Sequence, residues 1–452
     1  MSVENYPLKD FHYPRKYELN KENPYLQPEM PQEAFDKLYD NLKKMAVAHL
    51  SKYDPEHAPI YQQAYLDADN LFDPQYKIIL RDFFAGLFNP EAPIFKQTVR
   101  NIVGKLCSAM RFYEERKMYK DELDKIEIKN PMFIVSLPRS GSTYLHNLLS
   151  TDPRASGIRF WEHLFPGSKT MNREARRQMI TDILNQVQEE SKEINKVHNL
   201  DSVDRFEEEA FFMEMIGQCF IMTGALPRLE QYRVHLYELD FHYVYEALMD
   251  ELKMHLVEFP LKGDDGYLCL KGVNHFATMA PMLDVCGRKE YNARFIWIHR
   301  EPIEQIKSMV ILMNVAKGRF EHDLGKDDMV WLNENVIKVN EIILRNSIAA
   351  RDEYIRQDPT RAKQFFDVGF IEAVTKPKET VKKIYDYFGI EITPEAEKQL
   401  ELTIKEGDPQ RKHGRKPHDE SLYHFDEDKI REQYKFYYER FGQYMPNFYG
   451  KK

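Results

Sequence analysis

Cysteine is scarce in this chain: four occur in 452 residues, at Cys107, Cys219, Cys269 and Cys286, with no close pair. That excludes a disulfide framework or a CxxC metal site read from spacing, and it points to a reducing compartment. Long apolar runs are also missing. A bilayer-spanning helix needs roughly 20 predominantly apolar residues. The best stretch, Ala210 to Leu226, carries Glu214 and Gln218 and reads as a buried helix. The opening MSVENYPLKDFHYPRKYELN lacks the apolar core of a secretory signal. Nor is there an excess of positive charge, since 64 Lys and Arg stand against 73 Asp and Glu for a formal charge of −9. This balance speaks against a general nucleic-acid or anionic-membrane coat and leaves room for a local basic cleft. There is no internal repeat and no low-complexity tract.

What is present suits a large α/β protein. Hydrophobic residues make up 42% and charged residues 30%, enough for a sizeable core under a soluble surface. Residues 1–125 show no strong β pattern. From Pro31 to Leu50, Phe35, Leu38, Leu42, Met45 and Leu50 fall at near-helical spacing, and Pro93 to Lys125 also reads as helix. With no Gly/Ser linker after it, this part is expected to be a helical extension packed on the rest of the chain. Residues 126–452 change texture. Pro131–Ser136, Tyr267–Leu270, Arg294–Ile298 and Gln364–Val368 are short apolar runs of the kind that form buried parallel strands. Helical patterns come after several of them, and Lys376 to Phe388 is expected to end at Gly389. A mostly helical insertion spans about 170–260. The expected fold is a P-loop-like three-layer sandwich with a central parallel sheet.

The first strand runs directly into Leu137-Pro-Arg-Ser-Gly-Ser142, and then comes a helix pattern of Leu145, Leu148 and Leu149. A helix N-terminus offers unpaired N–H groups and the positive end of its dipole. Arg139 adds a fixed charge, Ser140, Ser142 and Thr143 add hydroxyls, and Gly141 allows close backbone approach. Together they form an anion cradle, although a glycine among small polar residues also suits a plain turn and cap. The loop has neither GxxxxGK[ST] nor GxGxxG, so ordinary ATP or GTP hydrolysis and dinucleotide binding are not indicated.

Two segments carry a family resemblance. FIVSLPRSGSTYLHNLL, residues 133–149, resembles the 5′-phosphosulfate loop of the sulfotransferases that use 3′-phosphoadenosine 5′-phosphosulfate (PAPS). IHREPIEQIKS, residues 298–308, resembles their 3′-phosphate segment, in which an arginine at a strand end and a serine eight residues later hold the nucleotide; Arg300 and Ser308 match that spacing. On a helical wheel with Ile303 at 0°, Ile306 and Val310 fall at roughly 300° and 340° and Ser308 at roughly 140°, opposite the apolar stripe. The resemblance is closest to a broad branch with small-molecule and lipid-like acceptors. The detoxifying cytosolic branch carries Lys where this chain has Arg139, and its RKGxxGDW segment is missing. GRKPHDESLYHFDEDKIREQYKFYYERFG, residues 414–442, resembles the terminal motif of the other branch. The likeness covers about 130–445.

The resemblance implies a nucleotide site of Arg139, Ser140, Gly141, Ser142, Thr143, Tyr144, Arg300 and Ser308, with PAPS as co-substrate and 3′,5′-adenosine bisphosphate as product. Arg415 and Lys416, in a basic cluster with Lys412 and His413, are candidates to close over the nucleotide; an exposed basic loop reads equally well. Sulfuryl transfer needs charge stabilisation at the leaving phosphate and a base for the acceptor proton. Arg139 and Lys271 are candidates for the first role. Glu208, then Glu207, are candidates for the second, because the branch has a Pro-Glu-Glu element after a histidine. Here Phe206 replaces the proline, and the distance from His198 is about one residue longer. The three glutamates also suit a plain helix N-terminus. His275 is the other candidate base, or a structural histidine. Phe160, Trp161, Phe211, Phe212 and Phe220 are plausible acceptor walls. No metal spacing occurs and none is needed. Expected partners are a small-molecule or lipid-like acceptor, with no nucleic acid and no membrane span. The cytoplasm is the expected location, since Golgi members of the family carry an anchor. The oligomeric state stays open. Two rivals remain, a P-loop-type kinase or phosphotransferase and a non-catalytic nucleotide-binding relative.

Overall fold

The computed structural model describes residues 6–23, 26, 28–87, 93–190, 202–217, 229–320, 326–407 and 419–446. Five strands form one parallel sheet: β1 Met132–Val135, β2 Ala155–Ser156, β3 Tyr267–Lys271, β4 Arg294–His299 and β5 Phe365–Gly369, in the order β2-β3-β1-β4-β5. Four of these strands are the apolar runs of the sequence. β2 has two residues and no apolar run to announce it.

The strands are buried on both faces, so their sequences are almost uniformly apolar. Alternation sorts the side chains. Met132, Ile134, Tyr267, Cys269, Ile296 and Ile298 join a core under helices Ser142–Leu149 and Pro377–Phe388. Phe133, Val135, Leu268, Leu270, Phe295 and Trp297 join the larger core on the other face. Helices Met279–Cys286, Pro302–Phe320 and Lys326–Gln357 cover that second face. The result is an α/β sandwich of three layers around a central parallel sheet.

Before β1 stand helices Gln32–Tyr53, Ala58–Leu71, Pro74–Leu87 and Pro93–Met118, whose described apolar residues are continuous with the larger core. In the first of them the buried stripe is Phe35, Tyr39, Leu42, Ala46, Val47 and Leu50. Met45, expected inside, is 44% exposed, because the i, i+4, i+7 stripe set by Phe35 passes through Ala46 instead. Between β2 and β3 lie helices Arg173–Glu190, Ala210–Ile216, Glu230–Leu236 and His242–Glu258. The run from Ala210 stops at Gly217, whose φ of 105° ends the helix in the left-handed region; residues 218–226 lie outside the described residues. Helix Pro377–Phe388 ends at Gly389 with φ 66°, as its sequence predicts. Among the described residues, no helix is long and apolar enough to cross a membrane, and Cys107, Cys269 and Cys286 are free thiols.

Candidate active site

Because the five described strands run parallel, their carboxyl ends lie along one edge, where the connecting segments leave the sheet. Pairing of Ile134 with Lys271 and of Val135 with Trp297 sets three of the exits nearly level. The loop after β1 is compact and strained. Arg139 has φ 67° and Gly141 φ 85°, a region that costs a side chain roughly 1–2 kcal/mol. Gly141 caps helix Ser142–Leu149. A Cβ at Gly141 would lie 2.8 Å from Phe370, the residue after β5, so glycine here admits the Phe370 ring as well as the backbone angle.

The two arginines meet. The Arg139 guanidinium donates through Nε to Ser308 Oγ at 3.1 Å. Arg300 donates through Nη1 to the Arg139 carbonyl, and its guanidinium lies 4.5 Å over the Phe370 ring, a cation–π contact. Gln305 donates to the Pro138 carbonyl at 2.8 Å and accepts from Asn340 at 2.6 Å. The helix carrying Ser308 is seated by its apolar stripe, since Ile303, Ile306 and Val310 are all buried. Two segments about 160 residues apart in sequence thus form one grip. A cleft beside it is lined by Arg300, Glu301, Glu304, Phe370 and Tyr444.

The β3 end supplies the third cation. Lys271 lies on the sheet face covered by helix Ser142–Leu149, and its ammonium donates to Thr143 Oγ1 at 3.1 Å. The same ammonium pairs with the Glu208 carboxylate, with Lys271 1% and Glu208 10% exposed at the side chain. Glu208 also lies 3.5 Å from the Val273 amide. Glu209 accepts the Lys271 amide at 3.0 Å. Its other oxygen lies 3.3 Å from His275 Nε2. Burial raises the Glu209 carboxyl, but His275 and the charge of His163 outweigh it and hold it below the usual range. Glu207 has its amide bonded to the Ile158 carbonyl at 3.0 Å, its carbonyl facing His163, and its carboxylate 3.4 Å from the Glu208 amide.

The candidates therefore separate. Arg139, Ser140, Gly141, Ser142, Thr143 and Tyr144 lie on one turn, Arg300 and Ser308 close against it, and Lys271 with Glu208 adjoins Thr143. His275 is fully buried, set between Phe133 and Tyr245. His146 is also buried, and burial followed by the nearby Lys271 charge pushes it down to about 4. Of the aromatic wall candidates, Phe160, Trp161 and Phe212 are core, and Phe160 stands edge to face at 4.9 Å with the partly buried Phe211. His198, Phe220, Lys412, His413, Arg415 and Lys416 lie outside the described residues. Among those described, no group of His, Cys, Asp and Glu is arranged to hold a metal ion.

Of the supports, the sequence singles out His299, expected beside Arg300 to orient the strand end. His299 bridges Tyr437 at 2.8 Å and Asp367 at 2.9 Å, and Arg351 clamps Asp367 through two bonds of 2.7 Å. This network fixes the strand end that carries Arg300. Asp367, Arg351 and Phe370 lie outside the motifs and were missed, and Gln305, although inside the 298–308 segment, carries no sign in sequence of its bond to the Pro138 carbonyl. Glu209 reads only as one of three adjacent glutamates, and tertiary packing alone sets its partners.

A sequence model described as "Sulfotransferase family" matches residues 131–394, more than half of the chain. Two solved structures resemble the fold: sulfotransferase STF9 from Mycobacterium avium, at TM-score 0.68 and 17% identity over 84% of this chain and 95% of that one, and sulfotransferase STF1 from Mycobacterium tuberculosis H37Rv, at TM-score 0.64 and 21% identity over 86% and 97%. Comparison with curated proteins finds no match. The family match covers both arms of the arginine grip and the strands between them, and the chain belongs to the sulfotransferase family.

Proposed function

We propose that this protein transfers a sulfuryl group from PAPS to a hydroxyl or amine of a small-molecule or lipid-like acceptor, with Glu208 as the base. The observation that carries the reading is the junction of three cations at the sheet's carboxyl edge, with Lys271 joined at once to Thr143 and Glu208. The donor set suits a nucleotide with phosphates at both ends. Arg300 and Ser308 would hold the 3′-phosphate, and Arg139, Lys271, Thr143 and the turn's N–H groups would hold the 5′ side. When bound, the donor supplies an electrophilic sulfur attached to a phosphate leaving group.

Transfer breaks the bond from sulfur to the phosphate oxygen and forms one from sulfur to the acceptor oxygen or nitrogen. Glu208 takes the proton that the acceptor loses. Arg139, always charged, and Lys271 hold the negative charge released on the phosphate side. Lys271 couples the two ends. An anion at Thr143 would draw on the same ammonium that pairs with Glu208.

Calorimetry with 3′,5′-adenosine bisphosphate and with ATP separates this reading from a kinase: the bisphosphate is expected to bind and ATP to bind far more weakly. Turnover of radiolabelled PAPS on a panel of hydroxyl and amine compounds separates an enzyme from a non-catalytic relative. Glu208→Gln is expected to lower kcat while leaving bisphosphate affinity nearly intact. An unchanged rate would remove Glu208 from the role.

A further inference from the structure

Behind the glutamate turn lies a buried pair outside the nucleotide grip. His163, on helix Phe160–Leu164, is wholly buried. Its Nδ1 is 2.9 Å from Glu251 Oε1 and its Nε2 is 3.3 Å from the Glu207 carbonyl oxygen. A carbonyl oxygen only accepts, so the Nε2 contact requires a proton on Nε2. A second proton then occupies the short contact between Nδ1 and the Glu251 carboxyl, on one side or the other. If that shared proton is lost, the remaining one is drawn to Nδ1 beside the ionised Glu251. Nε2 then turns a lone pair toward the Glu207 oxygen and the tie breaks.

The geometry points to His163 and Glu251 as a positioning pair. With its shared proton in place, the pair pins the Glu207 backbone and so fixes where the neighbouring Glu208 carboxylate meets the acceptor. This rests on the proposed role of Glu208. The turn is also held by the Arg159–Phe206 bridge and the Phe160 amide on the Arg205 carbonyl, by the Glu207 amide on Ile158, and by Glu208 and Glu209 on the end of β3. His163 therefore anchors the rear of a segment whose front carries the base. A misplacement of about 1 Å at a reacting group is enough to cost about 100-fold in rate.

The electrostatic surroundings agree with the geometry. The groups facing His163 are Glu251 from helix His242–Glu258, Glu209 from the turn and Glu162 on its own helix. Glu162 is itself paired with His255, 2.6 Å away on helix His242–Glu258, and with Arg159. Arg176, on helix Arg173–Glu190, is committed to Glu258 and stacks on Trp161. Burial works to lower His163, but the Glu251 charge and hydrogen bond outweigh it and push the ring up to about 9. A raised folded-state value means that the tie is complete at neutral pH and is lost as pH rises through that value.

Four measurements on the full chain test this. NMR of 15N-histidine protein, with the His163 signal assigned by its absence in His163→Gln, is expected to show a proton on Nε2 at neutral pH and its loss on the alkaline side. His163→Leu, which cannot donate to Glu207, is expected to lower kcat by about 10- to 100-fold while 3′,5′-adenosine bisphosphate affinity changes by less than about threefold. His163→Gln, which retains an N–H donor, is expected to recover part of that loss. Glu251→Gln has no titrating carboxyl and can donate its amide to Nδ1, so it is expected to move or abolish the alkaline fall of kcat. The positioning role is overturned by an Nε2 without a proton at neutral pH, by parallel loss of kcat and bisphosphate affinity in His163→Leu, or by an unmoved alkaline limb in Glu251→Gln. Wild-type turnover by Glu208→Gln would instead overturn the base assignment, while the NMR result would still report on the His163 tie.

Discussion

Lys271→Met removes the ammonium that, among the described residues, joins the nucleotide loop to the glutamate turn, and its cost can be worked from the contacts. The side chain is 1% exposed and its partner Glu208 10% exposed, so solvent screens the pair little. At a separation of about 3 Å and an effective dielectric of ~20, attraction between unit charges is about 5 kcal/mol. Desolvation offsets much of this when the pair is intact. Truncating one partner leaves the other charge buried and uncompensated, at a cost of about 3–5 kcal/mol. The hydrogen bond to Thr143 adds about 1 kcal/mol.

The assay is denaturant unfolding of Lys271→Met, Glu208→Gln and the double variant, with bisphosphate affinity measured alongside. Each single variant is expected to lose several kcal/mol. The double variant, which leaves no orphaned charge, is expected to be no less stable than the worse single one. Strong non-additivity is the signature of a coupled pair. Additive losses, or a loss under about 0.5 kcal/mol for Lys271→Met, the range of a featureless surface site, would show that the pair does not exist in solution.

Arg300→Ala should weaken 3′,5′-adenosine bisphosphate by about 10-fold or more, the worth of a charge-assisted hydrogen bond, and scarcely affect 5′-AMP; equal losses in calorimetry would count against the 3′-phosphate assignment. Gly141→Ala should cost about 1–3 kcal/mol in unfolding experiments, because it combines a left-handed backbone with a contact of 2.8 Å to Phe370. Adding Phe370→Ala should restore the steric part and not the backbone part. Burial works to raise the Asp367 carboxyl, but hydrogen bonds from His299 and Arg351 outweigh it and hold it well below the carboxylate range. A depressed folded value gives stability that is present above about pH 4, the ordinary aspartate value, and lost as pH falls below it. Asp367→Asn should therefore be less stable than the parent at pH 7, with the gap in thermal midpoint narrowing in acid.

Much of this site was legible because its chemistry is local in sequence. The loop after β1 carries its cation, its hydroxyls and its helix start within six residues, Pro138 to Thr143, and the arginine and serine of the second segment need only one helical wheel. The strands were legible because burial on both faces leaves plain apolar runs. β2 was not, since two residues create no pattern. Choosing among Glu207, Glu208 and Glu209 was beyond the sequence for a different reason. Consecutive residues at a turn point in directions that only the tertiary fold decides. Here the carboxylates of Glu208 and Glu209 meet β3, while His163 meets the backbone carbonyl of Glu207. Met45 and the partners of His299 were missed alike: one alternative stripe and one set of unclustered polar residues, Asp367, Arg351 and Tyr437, each settled by packing partners far away in the chain.

The division of labour at the sheet edge comes from side-chain alternation. Lys271 lies two residues beyond Cys269 and shares its face, the one covered by helix Ser142–Leu149, which is why its ammonium reaches Thr143. His299 lies two beyond Trp297 and shares the opposite face, where Tyr437 and Phe441 pack. Arg300 is the first residue past β4 and turns to the loop carbonyl between them. A slip of one residue in either strand would exchange these faces. It would carry Lys271 away from Thr143, or His299 away from Asp367, while moving apolar neighbours such as Trp297 into the wrong core. Proper packing of the apolar residues and correct placement of the cations are therefore one constraint. Substitutions that loosen the register of β3 or β4 should lose bisphosphate binding together with stability, even where no cation has been touched.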